Sequence, residues 1–337
     1  VNELSGNLMT FATALDYPDD SRYAARAHVL TRDLPNSENL AGELRRFCRV
    51  LRAASKEDVL LVESASGRWN PDLLATAIVG TWPKRFRPIV VLMGAMWEPD
   101  RGLRHRIERL IVKLADRAIR LYAVQSSEEL RIFPAIWDVA PSKMRFCPYF
   151  FTLTARDLAV PAPSSGDHVF AGGNAHRDYE ALLDAARSLP ERRFVFATRY
   201  FMGSEDLPPN VNAGPVSREM FFGLMRSASA VVVPIRGGLH RAAGQQTYLN
   251  AMWLGKPTIV PDTLGVRDHV ENYRTGLIVD GSPEDYTKAL RWVFDPARQS
   301  EVATMCAQAH KVVSEQFAFE NHVTHLLGVL DEATGSS

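Results

Sequence analysis

Short apolar runs, too brief for helices, punctuate this chain, and stretches with helical spacing fall between them. In the first half the runs are Leu8–Leu15 (LMTFATAL), Val59–Glu63 (VLLVE), Pro88–Met93 (PIVVLM) and Leu121–Gln125 (LYAVQ). In the second they are Val169–Ala171, Phe194–Ala197, Ala230–Pro234 and Thr258–Pro261. A run that is apolar throughout fits a strand covered on both faces, and strands alternating with helices build parallel sheets from βαβ units. The expected fold class is therefore α/β. At 337 residues and 37.6 kDa the chain exceeds one compact core, and two domains are expected.

Val160–Asp167 (VPAPSSGD) resists both helix and strand and serves as the expected linker. The division is then 1–160, 161–315 and a C-terminal helix in 316–337. Glu315–Phe319 (EQFAF) marks a bend between two helices in Glu301–Leu330. The last helix must cover its apolar face, either on its own domain or back on the first. Ligands of open α/β sheets bind where strands end, so the two sheets are expected to face a central cleft.

Lys+Arg 39 balances Asp+Glu 39, so no global basic excess draws the chain to nucleic acid. Cys48, Cys147 and Cys306 lie far apart, with neither metal-ligand spacing nor a disulfide framework. A reduced, cytoplasmic setting is the expectation. The N-terminal stretch lacks the pattern of a secretion signal, and Pro88–Trp97 is far short of the roughly 20 residues that span a bilayer.

Ala230–Val279 carries the chemistry. A strand ends at Pro234, and a loop with Arg236, Gly237, Gly238, His240, Arg241 and Gly244 follows. A helix then starts at Gln245 and ends near Leu254, before Gly255-Lys256-Pro257. Free amides at Gln245, Gln246 and Thr247, with the helix dipole, form an anion site, and the arginines add charge-assisted hydrogen bonds. A plain glycine turn with solvated arginines is the alternative.

This segment resembles the nucleotide-sugar domain of family 4 glycosyltransferases with the two-Rossmann, GT-B fold. The residues that carry the resemblance are Leu249-Asn250-Ala251-Met252-Trp253-Leu254-Gly255-Lys256-Pro257, the turn Gly265 to Glu271, and Thr275-Gly276-Leu277-Ile278-Val279. Phe170 to Tyr179, with Gly173, Asn174 and Arg177, resembles the first strand and loop of that domain. Gly214-Pro215-Val216-Ser217 resembles the loop beside the nucleotide base. Tyr17 to Arg22 and Gln125 to Glu129 resemble loops of the first domain, the second of them after its last strand. The likeness is good over about 165–315 and only general before that.

The resemblance implies two Rossmann-like domains, a nucleoside diphosphate sugar (UDP or GDP) as donor substrate, and transfer to an acceptor hydroxyl, retaining and without metal. The acceptor class stays open among saccharide, natural product and lipid-linked compounds. The family commonly has glutamates where Ala242 and Asn250 stand, and a histidine near Met93–Glu98 that this chain lacks. Asn250 is left to hydrogen-bond the ribose. Two alternatives follow from these departures: a nucleotide-sugar epimerase or phosphorylase on the same fold, and a binding protein that performs no transfer. The candidate donor-binding residues are Gly173, Asn174, Arg177, Arg199, Val216, Arg236, Arg241, Gly244, Gln245, Gln246, Thr247 and Asn250. The candidate catalytic residues are Glu98 and His240. Asp100, Glu63, Ser64 and Ser66 are further acids and hydroxyls at strand ends, with solvated loop residues as the alternative. Asp178 is read as a helix cap and Lys256 as structural.

Arg101–Arg120 (RGLRHRIERLIVKLADRAIR) has the spacing of a basic amphipathic helix. Its apolar face is expected to be Ile107, Leu110, Ile111, Leu114, Ala118 and Ile119. Peripheral contact with anionic lipid and an ordinary surface helix are both open.

Overall fold

The computed structural model describes residues 9–31, 40–64, 69–94, 97–99, 102–159, 166–202 and 207–335. Leu8, Ser66, Ala95, Met96, Asp100, Arg101 and residues 160–165 of the expected linker lie outside the described residues.

The chain forms two compact units. Unit 1 is Val1–Pro148 with His322–Ser337, and unit 2 is Tyr149–Asn321. Unit 1 runs β1 (Phe11–Thr13), α1 (Ser21–Ala24), β2 (Ala27–Val29), α2 (Leu40–Ala54), β3 (Val59–Glu63), α3 (Pro71–Val79), β4 (Ile89–Met93), α4 (Gly102–Asp116), β5 (Ile119–Val124), α5 (Glu129–Trp137) and β6 (Met144–Phe146). Its strands are all parallel, in the order β2-β1-β3-β4-β5-β6. Leu60, Leu61, Val90, Val91 and Leu92 are almost wholly buried, as strands covered on both faces require.

Unit 2 runs α6 (Ala155–Ala159), β7 (Val169–Gly172), α7 (Glu180–Arg187), β8 (Phe194–Ala197), β9 (Val211–Gly214), α8 (Arg218–Ser227), β10 (Ala230–Val232), α9 (Gln245–Trp253), β11 (Thr258–Pro261), β12 (Leu277–Val279), α10 (Pro283–Phe294) and α11 (Gln299–Gln316). The parallel order is β12-β11-β10-β7-β8-β9. Winding runs one way from β7 and the other way from β10, the doubly wound Rossmann order. Side-chain caps fix several helix starts. Ser217 accepts from the Met220 amide at 3.2 Å, and Ser282, just before Pro283, accepts from the Asp285 amide at 3.2 Å.

The units divide at Pro148, before the proline and serine stretch, because the intervening segment is bound to unit 2. Phe151 stacks on Trp253 at 5.0 Å, and Asp157 pairs with Arg218 at 3.1 Å. The last helix, α12 (Phe319–Thr334), belongs mostly to unit 1. Arg26 pairs with Asp331 at 2.5 Å, Arg22 donates to Thr324 at 3.0 Å, and Arg145 pairs with Glu332.

Three sequence expectations need correction. The turn Gln125–Glu129 does not follow the last strand of unit 1, since β6 comes after it. The basic helix stops at Asp116, and Ile119 and Arg120 already belong to β5, where Ile119 pairs with Val90. Asp116 anchors that stop by accepting from the Tyr122 hydroxyl and the Lys143 ammonium, both at 2.9 Å. The helix also turns only part of the expected face inward, since Ile111 and Leu114 pack on the core but Ile107 and Leu110 do not. Val112 and Ala115 are buried, Ile111 and Leu114 are half-buried, and Ile107 and Leu110 are exposed.

Candidate functional site

Ligands bind outside the carboxyl ends of the strands at the point where the winding reverses. In unit 2 that point lies between β7 and β10, and the loops after these strands meet. The Asp178 amide donates to Pro234 at 2.7 Å, the Arg236 amide donates to His176 at 3.0 Å, and Arg177 bridges to Ile235.

Arg177 is the centre of this junction. Its Nε donates to the Gly172 carbonyl at 3.2 Å, Nη1 to the Ala175 carbonyl at 3.0 Å, and Nη2 to Thr247 Oγ1 at 3.3 Å. All three acceptors are neutral oxygens. Lost hydration is the largest influence on the guanidinium and pulls its pKa below the usual arginine range. A partly desolvated cation aimed at a helix start is suited to a phosphate.

Gly173 makes the room for it. Its φ is 110°, and a Cβ there would lie 2.9 Å from Arg177 Nη2. The buried Tyr179 hydroxyl donates to the Gly173 carbonyl at 2.8 Å and holds the loop from below. Asn174 braces the neighbouring loop, its Oδ1 accepting from Thr198 Oγ1 at 3.2 Å and from the Arg199 amide at 2.8 Å. The Arg199 side chain is exposed. Asp178 accepts from the Glu180 amide at 3.2 Å one residue before the cap position, which Tyr179 holds without a side-chain cap, so Asp178 is a turn contact beside α7 and not the helix cap expected from sequence.

On the β10 side, Gly244 precedes α9 with φ 74° and no side-chain cap. A Cβ there would meet Ile235 Cδ1 at 2.7 Å. Gln245 and Thr247 are buried and Gln246 is exposed, so Thr247 turns its hydroxyl to Arg177 rather than to solvent, and its amide, expected to be free, donates to the Gly244 carbonyl at 2.9 Å. Arg236 and His240 are exposed in the preceding loop and Arg241 is half-buried. The structure thus gathers Gly173, Arg177, Gly244 and Thr247 at one point, with Arg236 joined through its backbone.

Asn250 corrects the sequence expectation. It is wholly buried, its Oδ1 accepts from the Thr152 amide at 2.7 Å, and its Nδ2 donates to Thr152 Oγ1 at 3.1 Å. Gln246 Nε2 donates to the same hydroxyl at 2.9 Å. The amide is spent on pinning the 149–154 segment to α9 and is inaccessible to a ribose. Thr152 was not anticipated, and a hydroxyl after an aromatic run gives no sequence signal for this role. Val216 lies apart from Arg177's contacts, on a cavity of about 330 Å³ shared with His168, Arg193, Asn212 and Met220 at the β8–β9 side. Ala242 is buried.

Unit 1 reverses its winding between β1 and β3. Glu63 closes β3 there. Arg46 reaches it at 3.3 Å and grips the fully buried Asp72 at 2.7 Å, while the Glu63 amide donates to Asp72 at 3.1 Å. Burial raises the Glu63 pKa, against the pull of Arg46. Ser64 is buried beside it. Glu98, beyond β4, is half-buried and lines a groove of about 620 Å³ with Trp69, Trp97 and Trp137. Among the described residues no group of three or more His, Cys, Asp or Glu is arranged to hold a metal. Nor is any helix among them long and apolar enough to cross a membrane.

Residues 169–295 match the family described as Glycosyl transferases group 1. No curated protein sequence matches the chain. Among solved structures, HepE from Anabaena, in complex with UDP and glucose, is similar at TM-score 0.67 and 15% identity, covering 98% of this chain and 100% of that one. Sucrose-phosphate synthase from Thermosynechococcus elongatus is similar at TM-score 0.67 and 14% identity, covering 93% and 84%. A glycosyltransferase from Rickettsia africae gives 0.63 and 12%, covering 92% and 86%.

Proposed function

On a two-domain GT-B fold of the glycosyltransferase kind, with a group 1 glycosyltransferase segment at residues 169–295, we propose that this chain moves a sugar from a nucleoside diphosphate sugar to an acceptor hydroxyl. The observation that carries the reading is the Arg177 guanidinium, held by neutral oxygens against the uncapped start of α9 at the point where the winding of unit 2 reverses. Transfer leaves a diphosphate, and a guanidinium beside the positive end of a helix meets that charge without a metal. Arg236, Arg241 and Arg199 add cations around it. HepE was solved with UDP and with UDP-glucose, which makes UDP-glucose the first donor to try.

His240 faces the sugar or its phosphate in this reading, Glu98 orients the acceptor on unit 1, and the sugar is transferred with retention. Metal-independent transfer gives the same rate with and without chelator. Thermal shift against UDP, GDP, dTDP and ADP sugars tests donor binding, and released diphosphate with candidate acceptors tests transfer. Arg177→Ala is expected to weaken the donor at least about tenfold, the loss of one or two charge-assisted hydrogen bonds. No thermal shift with any of these donors would count against the reading. Product anomer by NMR tests retention.

A second reading is a nucleotide-sugar binder that transfers nothing. Alanine at position 242 and the internal use of Asn250 favour it, since neither α9 nor the loop before it then offers the donor a carboxylate. Donor binding without diphosphate release in any acceptor screen would select it.

A further inference from the structure

In a sheet of βαβ units each helix runs back against its strands, so helix starts gather at the edge where strands end. In unit 1 that edge carries exposed hydrocarbon. Leu40 and Leu44 open α2, Trp69 precedes α3, and Leu103 and Ile107 open α4, at 70%, 59%, 61%, 73% and 52% exposure. Single exposed apolar residues are ordinary, but a group at one edge marks a contact surface.

α4 shows what kind. Leu103, Ile107 and Leu110 fall at helical spacing and make a stripe that faces solvent. Arg106 and Lys113 are exposed alongside it, one turn apart twice over. Two acids line the groove beside the stripe, Glu108, which pairs with Arg104 at 3.2 Å, and Glu98. An outward apolar stripe bordered by cations is the pattern of a helix lying in a lipid interface, where hydrocarbon meets the apolar side and anionic headgroups meet the cations. With a formal net charge of +0, the attraction must be local to this helix. The stripe runs into the groove of about 620 Å³ between α3 and α4, which Leu103 and Ile107 help to line together with Trp69, Leu73, Trp97 and Trp137. Its lining is mostly hydrocarbon and indole.

We propose that unit 1 rests on an anionic lipid surface through α4 and the neighbouring helix starts, and that the groove receives a hydrocarbon chain of a lipid from that surface. If the transfer reading holds, on which this last clause rests, that lipid carries the acceptor hydroxyl. The charge complementarity of Arg106 and Lys113 with phosphate headgroups selects a lipid surface over an uncharged apolar partner.

The test is flotation of the full chain with vesicles of phosphatidylglycerol or phosphatidylcholine, without nucleotide sugar. Binding to phosphatidylglycerol that weakens with salt and is absent with phosphatidylcholine is expected. Arg106→Glu with Lys113→Glu should lower that binding about tenfold or more. Leu103→Asp with Ile107→Asp should abolish it, with the melting temperature confirming that the variants fold. Phosphatidylglycerol brominated along its chains should quench tryptophan emission, and Trp69→Phe should remove part of the quenching. No flotation with phosphatidylglycerol, flotation indifferent to both double variants, or no quenching by brominated chains overturns the proposal. Thermal shift of the same preparations with UDP-glucose reports on donor binding separately. Lost flotation with the shift retained therefore overturns the surface and leaves the donor reading standing.

Discussion

Gly173 and Arg177 depend on each other. A guanidinium beside a glycine of φ 110° leaves no space for a Cβ, so Gly173→Ala strains the loop and pushes the cation off Thr247. Urea unfolding of that variant is expected to show a loss of about 2 kcal/mol, together with weaker donor binding than wild type. Buried histidines set a second residue-scale expectation. His322 is pushed down to about 4 by burial, against its hydrogen bond to the Pro148 carbonyl, and burial lowers His269 as well. Both folded values lie below the unfolded one, so the unfolded chain binds more protons. Stability is therefore full above about pH 6.5 and falls as the pH drops toward 4, by about 3 kcal/mol for His322. Denaturant unfolding across that range checks it, and His322→Gln should flatten the slope.

At the scale of elements, α9 is held by what it buries and by what it pins. Asn250→Ala removes two hydrogen bonds to the half-buried Thr152 and leaves its amide without this acceptor, while Gln246 still donates to its hydroxyl. The expected cost is about 2 kcal/mol by chemical denaturation. How much of this was legible depends on the kind of signal. β3, β8 and β11 matched the expected runs because strands covered on both faces must be apolar throughout. β2, β6 and β9 are short and half-polar, and only their neighbours' hydrogen bonds make them strands. The loop glycines and Arg177 were legible because a strand, a loop and a helix start follow one another in sequence. The role of Asn250 was not, since Thr152 reaches it from far along the chain. The facing of α4 was also partly hidden, because Ile107 and Leu110 share its apolar spacing with Ile111 and Leu114 yet face solvent.

At the scale of the molecule, the return of α12 makes unit 1 discontinuous in sequence. Val323, Leu326, Leu327 and Leu330 are buried, and Arg26 finds its carboxylate on that helix. A chain ending at residue 321 is expected to lose the unit 1 transition in calorimetry, or to melt it well below the intact protein, while the unit 2 transition persists. The same feature bears on the order of assembly. A nascent chain emerges from the ribosome with its beginning first, and earlier segments usually settle before later ones appear. Here the first part of unit 1 must wait for residues 322–335 to be made before its last contacts exist. Unit 2 is then able to close before unit 1, and a translation product stalled before α12 would expose the face that α12 covers.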